Sequence, residues 1–161
     1  MAVELCAFEV PPEADAAFMA AWRGPAALHR ALRADVALRY VAIGPAEGTP
    51  PFPAHAGVYE PAHEDGEPSG AGGALLIEFF APPAAADERY LASWERARAA
   101  FAPLQGRLGA RLLRACGPAR FRFVSITRWS SPLMYARALK RSEVQAIAPD
   151  FPAQRALYLA L

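Results

Sequence analysis

Residues 150–159 read DFPAQRALYL, and residues 51–60 read PFPAHAGVYE. Each contains Phe-Pro-Ala, four intervening residues, and then a Tyr within an apolar run. Proline stops a helix and favours an extended approach, so each copy reads as the lead into a strand. Working outward, the echo spreads over most of the chain. FEVPP (8–12) is answered by FFAPP (79–83). Trp22 and Trp94 follow, each preceded four residues earlier by an aromatic, Phe18 or Tyr90. LHRAL (28–32) matches LLRAC (112–116), and LRYVAIG (38–44) matches FRFVSIT (121–127). Self-similarity in a constant order marks a repeated unit. From Trp22 to Leu28 is 6 positions, but from Trp94 to Leu112 is 18. From Gly44 to Phe52 is 8, but from Thr127 to Phe151 is 24. The first copy is the eroded one.

The complete copy is the easier to translate. GALLIEFFA (73–81) is an apolar run bounded by Pro82-Pro83, so a strand buried on both faces. Residues 84–101 are strong helix formers, with Asp87 and Glu88 placed where the helix dipole favours acids. Residues 107–116 and 121–129 read as strands joined by a turn at Gly117-Pro118. Ser131 is a natural cap and Pro132 suits the first position of a helix over 132–141, and the last strand spans 155–161. The order β-α-β-β-α-β is ferredoxin-like. The eroded copy reads β (3–9), α (13–23), β (27–33), β (37–44), β (57–60). The expected organisation is a degenerate repeat (1–60), a flexible Pro-, Gly- and acid-rich linker (61–73) and a complete repeat (74–161).

Composition narrows function. The 161 residues are 54% hydrophobic and 20% charged, with a net charge of +1, which predicts a real core and gives no electrostatic case for nucleic acid or an anionic membrane. No apolar run approaches a membrane span, and MAVELCAFEV lacks a basic start, so a cytoplasmic protein is expected. Cys6 and Cys116 read as separate reduced thiols. The three histidines, His29, His55 and His63, lack the spacing of a metal pair, and no nucleophile motif occurs. The glycines of 66–73 precede a strand rather than follow one, which rules out a phosphate loop.

FEVPPEADAAFMAAW, LLRACGPARFRFVSITRW followed by SSPLMYARAL, and the FPA…LY tail together resemble the antibiotic biosynthesis monooxygenase family, along nearly all of 74–161 and in pieces before it. The resemblance implies a pseudo-dimeric α+β barrel of ferredoxin-like units, its first repeat eroded. It also implies a pocket for an aromatic ligand between helices and sheet, and leaves a homodimer open. The implied activity is oxidation of a polycyclic aromatic polyketide intermediate, anthrone-like, with O2 as co-substrate and no metal, haem or flavin. A polyketide cyclase of the same fold and a non-catalytic aromatic-binding protein are the alternatives.

Trp94 matches the family's helix tryptophan and Arg114 its strand arginine. Tyr90 stands where some members carry Asn, a residue this chain lacks altogether; that counts against the related haem degraders. His29 is the one histidine placed to act as a base. These four are the catalytic candidates. Alternation along 121–129 sets Phe123, Ser125 and Trp129 on one face and Arg122 on the other. With Phe101 and Tyr135 from the flanking helices, they are the substrate-binding candidates.

Overall fold

The computed structural model describes residues 1–45, 47–48, 50–148 and 150–161. The apolar runs of the first half become β1 (Val3–Glu9), β2 (Ala27–Ala31), β3 (Leu38–Ile43) and β4 (Ala54–Gly66), with one short helix, α1 (Asp15–Ala21), after β1. The second half supplies β5 (Ala74–Phe80), β6 (Arg107–Ala115), β7 (Phe123–Trp129) and β8 (Gln154–Ala160). Its helices are α2 (Asp87–Phe101), α3 (Pro132–Ala138) and the single turn α4 (Ser142–Gln145). Ser131 caps α3, accepting a hydrogen bond from the Met134 amide at 3.3 Å, and Pro132 opens it.

The strands are antiparallel and close into a barrel in the order β1-β3-β2-β8-β5-β7-β6-β4. Each half contributes four adjacent strands, and the halves meet at two seams, β2–β8 and β4–β6. Closure leaves no sheet edge unpaired. This is the α+β barrel that the sequence predicts.

The seams answer the duplicated tail. Tyr59 on β4 lies opposite Ala115 on β6, and Tyr158 on β8 lies opposite Ala31 on β2. The Tyr59 hydroxyl donates to the Phe121 carbonyl at 3.0 Å, and the Tyr158 hydroxyl donates to the Leu38 carbonyl at 2.5 Å. Each Phe-Pro-Ala tail thus fastens its own half to the opposite one, so two seams need two tails. Burial pushes the Tyr59 phenol up to about 12 and Tyr158 further, so both stay donors.

Residues of alternate parity fill the barrel or face the helices. Leu5, Ala7, Val41, Ile77, Val124 and Ile126 pack inside. Outside, Phe18 of α1 stacks on Tyr40 at 4.2 Å, and Tyr90 of α2 stacks on Phe123 at 4.3 Å. The other outer contacts differ. In the first half Cys6, Phe8, Leu28 and Trp22 close directly around Phe18. In the second half three helices stand over the sheet.

The structure departs from the sequence reading at two places. Residues 61–66 do not form a linker: they continue β4, pairing with β6 from Pro61 opposite Leu113 to Gly66 opposite Gly109. The stretch beyond is also held, because the buried Arg128 donates to the carbonyls of Glu67, Ser69, Ala71 and Gly72. Gly109 is required there, since a Cβ would stand 2.4 Å from the Glu67 amide nitrogen. Second, Phe8 occupies the place of Phe80, not of Phe79 as the aligned sequences suggest: Phe8 pairs with Tyr40 as Phe80 pairs with Phe123.

Candidate active site

The outer face of β5 reads Leu76, Glu78, Phe80, and the register places Ser125 of β7 on one side of Glu78 and Arg155 of β8 on the other. Helices α2 to α4 stand off this face and leave a cavity of about 290 Å³. Tyr90, Trp94 and Phe101 of α2 form one wall, Tyr135 of α3 and Val144 of α4 another, and Phe151 a third. The size sits at the lower end of ligand pockets, roughly 300–1,000 Å³, and suits a ligand of two or three fused rings. The lining is mostly apolar with a few convergent polar groups.

Those polar groups form a line across the sheet. The Trp94 indole N–H donates to the Ser125 hydroxyl oxygen at 2.9 Å, and Ser125 stands directly opposite Glu78 in the ladder. On the far side Arg155 Nε lies 3.3 Å from Glu78 Oε1. Glu78 keeps 17% side-chain exposure, and it lines the cavity. Burial raises its pKa against the lowering effects of Arg155 and Ser125. The Tyr90 hydroxyl is buried and has no partner among the described residues. Burial, and then the nearby Glu78, push its pKa up, so it stays protonated on a residue that lines the cavity. Tyr135 is raised by the same two causes in the same order.

A charged cluster, in which Asp65 and Glu95 balance two arginines, closes the other end. Arg98 of α2 and Arg107 of β6 both line the cavity. Asp65, on the extended part of β4, takes Arg98 at 3.0 Å and Arg107 at 2.8 Å and accepts the Ala110 amide at 3.1 Å. His63 Nε2 lies 3.6 Å from Asp65, and its ring is 5.1 Å from that of Trp94.

Of the residues singled out in the sequence, Trp94, Tyr90, Phe101, Ser125 and Tyr135 meet in this cavity. Phe123 lies beneath Tyr90 as a support, and Trp129 is fully buried between Phe101 and Tyr135, outside the lining. Arg114 and Arg122 do not reach the cavity: both turn to Asp87 at the start of α2, at 3.0 Å and 2.6 Å. The Arg122 guanidinium, first, holds the Asp87 carboxyl below the ordinary range. His29 stands in the other half, on β2 with the parity of the barrel-facing Ala31, its Nδ1 unpartnered and its pKa lowered by burial. Glu78, Arg155, Arg98 and Arg107 are the residues the sequence reading missed. For Glu78 the signal was present: it is the one acid inside the 73–81 apolar run.

The matched positions of the first half lack this chemistry. Cys6 pairs with Ala42 as Glu78 pairs with Ser125. Burial pushes the Cys6 thiol up to about 11, which keeps it neutral.

Solved structures share this architecture. An anthrone oxidase-like protein superposes with a TM-score of 0.67 at 14% identity, over 99% of this chain and 90% of that one. The fold is that of ferredoxin-fold proteins related to antibiotic biosynthesis monooxygenases. One such protein, uncharacterised, from Listeria monocytogenes, gives 0.57 at 16% identity, over 98% of this chain and 93% of its own. A haem-degrading enzyme from Listeria monocytogenes gives 0.57 at 15%, over 98% of both chains. No family model matches the sequence. No curated protein matches it. The cavity does not suit haem: among the described residues its lining contains no His, Cys or Met, and burial keeps Tyr90 and Tyr135 protonated. Among the described residues no group of three or more His, Cys, Asp or Glu could hold a metal ion, and no helix is long and apolar enough to cross a membrane.

Proposed function

We propose that the second-half cavity binds a flat phenolic aromatic of the anthrone class and that the protein oxidises it with O2, without a resident metal, haem or flavin. The observation that carries this reading is Glu78: a carboxylate on the floor of an aromatic cavity, with burial raising its affinity for a proton. A base of that kind is tuned toward neutral pH, where general-base catalysis is most effective.

The chemistry follows in order. Glu78 takes a proton from the substrate's acidic CH2 or phenol and leaves an electron-rich anion. The anion gives one electron to O2, and the resulting radical and superoxide combine as a carbon-bound peroxide. Loss of the remaining C–H proton with cleavage of the O–O bond yields the carbonyl and water, so that CH2 and O2 become C=O and H2O. The protonated Tyr90 donates to the developing oxyanion, and Arg107 adds positive charge at the cavity's other end. Trp94 and Tyr135 exclude water from the anion.

Oxygen uptake with anthrone, together with the absorbance of anthraquinone, tests the reading. Glu78→Gln keeps the shape and removes the base, and should lower the rate by about 10²–10⁴-fold. No uptake above the buffer blank, or an unchanged rate in Glu78→Gln, overturns it. Anthrone binding without uptake would leave a binding module in place of an oxidase.

A further inference from the structure

Arg155 lines the cavity and also a second, larger groove of about 640 Å³ at the β2–β8 seam. Among the described residues, only Leu76 and Tyr135 share this double position. The other arginines of the groove are committed: Arg33 donates to Asp35 at 3.0 and 2.6 Å, and Arg120 donates to Glu9 at 3.2 Å. Among the described residues the one ion pair of Arg155 is with Glu78, at 3.3 Å from Nε. Its side chain is 48% exposed and lines the groove as well as the cavity.

A half-exposed guanidinium at the edge of an apolar cavity, paired with a single carboxylate, is a receptor for a further planar oxyanion, because its N–H groups match a carboxylate. We infer that the ligand is an aromatic carboxylic acid, its ring system in the cavity against Tyr90 and Trp94 and its carboxylate on Arg155 at the junction with the groove. This rests on the proposed reading of the cavity as the substrate site, and it narrows the substrate to acids. Geometry also sets the reach: the carboxylate sits on β8, one strand over from Glu78 on β5, so it belongs near one edge of the ring system while the acidic C–H or O–H faces Glu78. Docking draws Arg155 toward the ligand and leaves Glu78 with less compensation, which strengthens it as a base.

The test uses a matched pair of two-ring probes, 2-naphthol and 3-hydroxy-2-naphthoate, which differ by the carboxylate. Binding is read by probe fluorescence and by quenching of tryptophan emission, with Trp94→Phe to locate the signal. A charge-assisted pair predicts a preference for the acid of about 10- to 100-fold, weakening as salt is added. Arg155→Met should bring the ratio to about one or below, and Arg155→Lys should keep part of it. Arg155→Met also removes the ion-pair partner of Glu78, so melting curves accompany both variants and binding is compared below the onset of unfolding. Equal binding of the two probes by the wild type, or an undiminished ratio in Arg155→Met, overturns the acid assignment alone. Failure of both probes to bind, or binding unaffected by Trp94→Phe, overturns the cavity reading along with it.

Discussion

Replacing Tyr158 by Phe removes one hydroxyl and nothing else. In the folded chain that hydroxyl donates to the Leu38 carbonyl at 2.5 Å, and Tyr158 is only 1% exposed. No solvent reaches the carbonyl to replace the lost donor. Removing one partner of a buried hydrogen bond costs about 1–3 kcal/mol. Unfolding entropy of about 2.1 cal/mol/K per residue gives roughly 0.34 kcal/mol/K for a chain of 161 residues. Each kcal/mol is then worth about 3 °C, so Tyr158→Phe should lower Tm by about 3–9 °C. Tyr59→Phe, which frees the Phe121 carbonyl at the other seam, should do the same. The two hydroxyls share no partner, so the double variant should show the sum to within about 0.5 kcal/mol. Circular dichroism melts, supported by urea titration, measure all three. A shift below about 1 °C in both single variants would refute the idea that these tyrosines fasten the seams. A large shift in one alone would break the equivalence of the seams.

Two further expectations concern charge. Burial raises the folded-state pKa of Glu78 above its unfolded value of about 4.3. As pH rises past that value the unfolded chain releases its proton more readily, so wild-type stability declines toward the folded pKa. Glu78→Gln escapes this loss, and the Tm of the variant relative to wild type should climb as pH rises above about 4.3 and level off beyond the raised folded-state pKa; a constant difference would show that Glu78 is well solvated. Arg114→Ala removes an ion pair at a side chain that is 43% exposed and outside the cavity. Oxygen uptake should stay within about twofold of wild type and stability should change by less than about 1 kcal/mol; a tenfold loss of rate would place Arg114 at the chemistry after all.

Much of the architecture could be read from one strand of letters because the relevant forces are local and periodic. The doubled tail, the aromatic face of residues 90–101 and the Ser131-Pro132 start each depend on near neighbours. What stayed hidden depends on pairing partners. PAHEDG at 61–66 has turn composition, and β6 alone makes it a strand, a case of tertiary context overriding propensity. Glu78 disappears into an apolar run until register sets it between Ser125 and Arg155. Arg114 has the outward parity expected of a cavity residue, but parity says nothing of position along the strand, and Asp87 lies at its end. His29 looks poised as a base only until the barrel puts it on β2, in the half opposite the candidate active site.

The cross-fastened seams also govern how the barrel is made. Tyr158 and Leu38 are 120 positions apart, and β8 is the partner of both β2 and β5. Synthesis from the N-terminus therefore completes seven strands while the ring is still open, with β2 and β5 each carrying a bare edge. Such long-range closure is slow, since most of the chain's freedom must be surrendered before the last ladder rewards it. The nascent chain is thus most exposed to strand exchange with a neighbouring copy just before residues 154–160 arrive. An added peptide of the β8 sequence would compete for those same edges during refolding.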